Sequence, residues 1–239
     1  MTLLTYLALF GTATLSGLSI FFFKKIRPNA LKLTLSFSGA YLFALSVLHL
    51  IPEVYSSPVH NIGLFILIGF FLQIIMEFFS EGIEHGHIHL HEHHNARFPI
   101  TIMIGLCLHS FLEGMPLAQL YSDPKAGNSL LAGIILHHMP VALALMSMML
   151  QSGTKHAAAI GYLCLFALMA PFGAVVSSNL SAGSFIDTAR YSNQIMAIVI
   201  GIFLHISTTI LFESNKDHRF NYYKLMIIIL GAGLAVVTL

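Results

Sequence analysis

The chain has 239 residues, 56% of them hydrophobic and 9% charged, with a formal net charge of +1 and a mean hydropathy of +0.82. No soluble domain of this length buries that much apolar surface in one core. So small a net charge leaves no footprint for nucleic acid or for a polybasic membrane-surface protein.

Apolar runs of about 20 residues recur along the chain, each long enough to cross roughly 30 Å of hydrocarbon as a helix. They lack the apolar–polar alternation of membrane-barrel strands. Loop signals divide them into eight predicted spans, at 3–23, 31–51, 60–82, 98–120, 128–151, 157–178, 193–212 and 222–239. The first has neither a basic leader nor a small-residue cleavage site, and reads as a retained span. The two cysteines, Cys107 and Cys164, fall inside apolar runs, where a free thiol is a small hydrophobe and no CxxC site arises. The connections are short except for 83–97 and 179–192, so residues 1–239 are expected to form a single transmembrane domain. Lys and Arg set the direction. With the N-terminus outside, Lys24, Lys25, Arg27, Lys32, Arg97, Lys155, Lys216, Arg219 and Lys224 fall on the inner side, against Lys125 and Arg190 on the outer. Both termini are then expected on the outer side and loop 83–97 in the cytosol.

Span four carries HSFLEG. On a helix, residues four apart share a face, so His109 and Glu113 point together, flanked by Ser110. Imidazole plus carboxylate at this spacing is a common way for one helix to offer two metal ligands. Span five carries HHMPVALAL, with His137 and His138 adjacent and Pro140 two residues on; Pro116 follows the span-four pair in the same way. A proline inside a helix frees a carbonyl one turn earlier, here near Leu112 and Leu136. In a membrane this is tolerated where neighbours, water or an ion satisfy the freed group. A lone histidine in a span is often no more than a core residue bonded to a neighbouring helix. Three histidines and a buried acid on two such spans together predict an intramembrane divalent-cation site between helices four and five.

These motifs resemble the Zrt/Irt-like (ZIP) divalent-metal transporters. The family's span-four signature, His-Asn-x-x-Glu/Asp-Gly, is similar to His109-Ser110-Phe-Leu-Glu113-Gly114. Its span-five signature is similar to His137-His138-Met139-Pro140-Val141. LHLIPE at the end of span two, with His49, Pro52 and Glu53, fits the same family, and FLHISTTILFE in span seven, with His205, fits more loosely. The resemblance implies eight spans, external termini, a histidine-rich cytosolic loop and alternating access. The chain departs from it at Ser110, where many members have Asn, at Val141, and at Ala170, where some bacterial members have Glu. A two-metal site would lose most of its carboxylates. One site is expected from His109, Glu113 and His137, with His138 completing it or forming a weak neighbour, and Ser110 tuning it. This donor set suits zinc, iron(II), cobalt, nickel or copper, and suits calcium and magnesium poorly.

Loop 83–97 contains EHGHIHLHEHH, offering His85, His87, His89, His91, His93 and His94 to transition metals with little selectivity. Upstream, Glu77, Glu81 and Glu84 fall on one helical face, either a path from the spans to this loop or a polar seam against another helix. No G-x-x-x-x-G-K-[ST] stretch occurs. An inside-negative potential of 100 mV contributes about 4.6 kcal/mol for moving a divalent ion inward.

The expected function is therefore import of a divalent transition metal, zinc or iron, through a multi-pass protein of the cell membrane, taken to be the bacterial inner membrane. The ion is the substrate and the bilayer the surroundings; no organic cofactor or nucleic acid is expected, and monomer and homodimer both stay open. Two rivals are an intramembrane hydrolase using zinc-bound water, with Glu113 as base, and a metal sensor without flux, which would depend on the loop more than on the spans.

Overall fold

Proline and glycine shape this bundle more than capping residues do. The computed structural model describes residues 2–22, 28–80, 82, 100–118, 124–182, 188–212 and 222–238. Among them every regular element is helical. Helix α1 (Leu3–Leu18) tightens into a 3-10 turn at Ser19–Phe21. Helix α2 spans Pro28–Tyr55, α3 Ile62–Ser80 and α4 Ile100–Ala118. They are followed by α5 (Pro124–Gln151), α6 (His156–Ala182), α7 (Thr188–Phe212) and α8 (Tyr222–Thr238). Seven of the eight are long and apolar enough to cross a membrane; α8 is apolar but shorter, at 17 residues.

The prolines act differently from one helix to the next. Pro140 and Pro171 sit inside α5 and α6. In α2 the ring of Pro52 would press on the carbonyl of Leu48, and the helix relaxes there into a π turn over Ser46–Leu50. Span four changes helix type where Pro116 falls. Pro116 lies in a 3-10 turn, Met115–Ala118, after the regular α-helix has run to Gly114.

Large apolar side chains face outward along the helices, among them Leu7, Leu15, Leu67, Phe71, Ile75, Phe78, Ile104, Leu168 and Phe172. An apolar exterior of this extent belongs against lipid. Inward, α1, α4, α5 and α6 pack on one another, as do α2, α3, α7 and α8, and the two groups meet where α2 lies on α5 and α3 on α4. Close approach within each group depends on glycine. A Cβ on Gly114 would strike the Ala170 carbonyl and one on Gly173 the Phe111 carbonyl, a reciprocal contact that brings α4 and α6 together. Gly69 and Gly201 do the same for α3 and α7.

Two apolar clusters stack along the helices. One takes Ile102, Met103 and Leu106 from α4 and Val141–Met149 from α5; the other takes Leu117 from α4 and Leu130 and Ile134 from α5. Between them on both helices fall the buried polar side chains His109, Ser110, Glu113, His137 and His138. The candidate site thus occupies a middle layer, far from either end of the bundle.

Candidate metal centre

His109, Ser110, Glu113 and His137 are fully buried and His138 is nearly so. Each arrives by helical geometry. His109 and Glu113 are one turn apart on α4, with Nε2 of His109 3.3 Å from Oε2 of Glu113. Their helix is held at this depth by Gly114, the next residue, against α6. His137 comes from α5, its ring edge-on to His109 with centroids 5.9 Å apart. One ligand atom from each of His109, Glu113 and His137 lies within 4.8 Å of the other two. Ligand atoms on a tetrahedral zinc with bonds near 2.1 Å are separated by about 3.4 Å. Small inward ring rotations would close the difference.

Consecutive helical positions differ by about 100°, so His138 approaches Glu113 from another side than His137. Its Nε2 lies 2.7 Å from Glu113 Oε2, and its ring rests 5.4 Å from that of Phe166. Glu113 Oε2 therefore meets two imidazoles, while Oε1 is buried with no hydrogen-bond partner among the described residues. A buried carboxylate oxygen left without a donor needs a reason, and a cation beside His109 and His137 supplies one. Ser110 Oγ reaches the Phe166 carbonyl at 3.5 Å, the outer limit of a hydrogen bond, and so is weakly held.

The weaker sequence candidates fall into separate places. His49 lies half-buried in the π turn of α2 and Glu53 one turn on, also half-buried. Glu77 and His205 meet across α3 and α7, with Nε2 2.6 Å from Oε2, and Phe70 packs edge-on against the His205 ring. Glu81, Glu84, His85, His87, His89, His91, His93 and His94 lie outside the described residues. Sequence reasoning missed Gln73. It is fully buried on α3, and its Oε1 lies 3.2 Å from His109 Nδ1. Its signal was an amide inside the apolar run ILIGFFLQIIME, one turn before Glu77.

The ZIP Zinc transporter family profile matches residues 84–239, which include α4 to α8 and the whole His/Glu cluster. The chain belongs to the ZIP family. It is 25% identical over 173 residues to protein zntD of Dictyostelium discoideum, covering 66% of this chain and 25% of that protein. It is 26% identical over 156 residues to zinc transporter ZIP9 of Micropogonias undulatus, covering 62% and 49%. Zinc transporter ZIP1 of Takifugu rubripes is 30% identical over 110 residues, covering 43% and 36%. The chain spans between about a quarter and a half of the length of these curated relatives. Membership accords with a multi-pass helical membrane protein in a family of transporters, not of enzymes.

Proposed function

We propose that this ZIP chain carries a divalent transition metal, zinc foremost, across the cell membrane into the cytosol. One observation carries the reading most: two imidazoles and a carboxylate from α4 and α5 converge, fully buried, in the middle layer of an apolar bundle. Intramembrane ionisable residues mark ion paths by default, and two of the relatives above are named zinc transporters. His109, Glu113 and His137 are the proposed ligands, with His138 fixing Glu113 and available as a fourth donor. Iron(II) fits the same donor set and is a second cargo candidate.

In this reading α8 is the eighth span, both termini face outward, and the Lys and Arg excess keeps loop 83–97 in the cytosol. Alternating access runs by the group α1, α4, α5 and α6 sliding against α2, α3, α7 and α8, with the site carried on the first group. The relatives named above are all eukaryotic, so the proposed location is a cell membrane without commitment to a bacterial one. A hydrolase would need Glu113 as a base, but its Oε2 is already shared by two imidazoles. A sensor would rest on the loop. Neither rival gains support from the relatives.

Zinc titration of the purified protein, with residues 85–94 deleted to remove loop binding, tests the site. One tight equivalent that disappears in His109→Ala supports the reading. Undiminished binding by His109→Ala contradicts it.

A further inference from the structure

Helix α3 is among the most apolar in the chain, and Gln73, Glu77 and Ser80 are its polar side chains. A fully buried primary amide there requires a partner. Gln73 finds it across the seam between the two helix groups. Its Oε1 faces Nδ1 of His109 at 3.2 Å, while its Nε2 is buried with no hydrogen-bond partner among the described residues. The amide is therefore held through its oxygen. An amide oxygen only accepts, so this contact is a hydrogen bond when the proton resides on Nδ1 of His109. The lone pair is then left on Nε2, the atom that faces Glu113 Oε2 at 3.3 Å. Two electron-pair donors facing each other at that distance suit a cation between them.

We propose that Gln73 is a positioning residue for the metal site: it sets the tautomer and orientation of His109 so that Nε2 is presented to the ion, and it does so from the opposite helix group. The proposal rests on the metal reading above. Partners that hold the second nitrogen of a ligating histidine commonly shift metal affinity by about 10–100-fold when removed. Its placement adds a consequence. His109 travels with α4 and Gln73 stays with α3, so the bond exists in the docked arrangement seen here and breaks when the groups slide. The site then binds most tightly in this arrangement and loosens as the ion is carried away.

The test uses full-length protein labelled with 15N-histidine, in wild-type, Gln73→Leu and Gln73→Glu forms. In metal-free wild type the His109 signal should report a proton on Nδ1. Gln73→Leu should lose that preference and bind zinc about 10–100-fold more weakly, whereas Gln73→Glu, still an acceptor, should keep both. In uptake assays Gln73→Leu should raise KM without lowering kcat. A proton on Nε2 of wild-type His109 overturns the proposal, and that result needs no variant to fold. So does zinc affinity that is the same in Gln73→Leu as in wild type, or a Gln73→Glu protein as weak as Gln73→Leu. Wild type that shows the Nδ1 tautomer yet binds no zinc overturns instead the metal reading, and the ligand-presenting role with it.

Discussion

Oε2 of Glu113 is shared by two histidines, 2.7 Å from Nε2 of His138 and 3.3 Å from Nε2 of His109. The shorter contact ties down the carboxylate, and the longer one leaves space at the side where His137 arrives. His138 is thus expected to act mainly through Glu113. His138→Ala should weaken zinc uptake by about 10–100-fold, as loss of an orienting partner does, while Glu113→Ala should abolish it. Equal losses in zinc titrations of the two variants would instead make His138 a ligand of the same rank.

Protons and metal compete for the same imidazole nitrogens, and metal needs the neutral form. With two imidazoles, His109 and His137, among the proposed ligands, zinc affinity should fall as pH drops, more steeply than one proton per ion allows. His138→Ala, which removes none of the three proposed ligands, should leave the slope unchanged. Titrations at several pH values read this directly.

The pairing of α4 with α6 rests on the absence of two Cβ atoms. Gly114→Ala or Gly173→Ala forces a methyl into a backbone carbonyl, and overpacking of that kind costs about 1–3 kcal/mol. Both variants should unfold earlier in detergent melts and transport less. Gly161→Ala, whose added methyl meets nothing within 4 Å, should match wild type in both assays.

Glu77 and His205 touch at 2.6 Å across α3 and α7, one turn beyond Gln73. If they act as a pair on the ion's way out, Glu77→Ala and His205→Ala should slow uptake by similar factors, and the double variant should be little worse than either. Contacting residues depart from additivity in this way. Fully multiplicative losses would separate their roles.

Much of the bundle was legible in the chain because a bilayer demands one long apolar helix per crossing. Each of the eight expected segments is helical over most of its described residues, and the clustering of His109, Glu113 and His137 follows from helical periodicity plus adjacency of two helices. What escaped was tertiary. Pro116 falls in a 3-10 turn that follows Gly114 inside α4, a change of helix type that the letters do not announce. The π turn around His49 depends on how α2 relieves Pro52. Gln73 carries no motif; only the packing of α3 on α4 gives it a partner. Whether His138 binds the ion or holds Glu113 could not be read from two adjacent letters, since it depends on which way each ring faces.

The most direct measurement is metal uptake into proteoliposomes under an imposed inside-negative potential, comparing wild type with a Glu113→Ala, His137→Ala double variant and offering zinc, iron(II), manganese and cadmium. Wild type should admit zinc or iron(II), and the double variant, still folded, should admit neither. Folded wild type that passes none of these ions, or a double variant that passes them as fast as wild type, would contradict transport through the His/Glu layer.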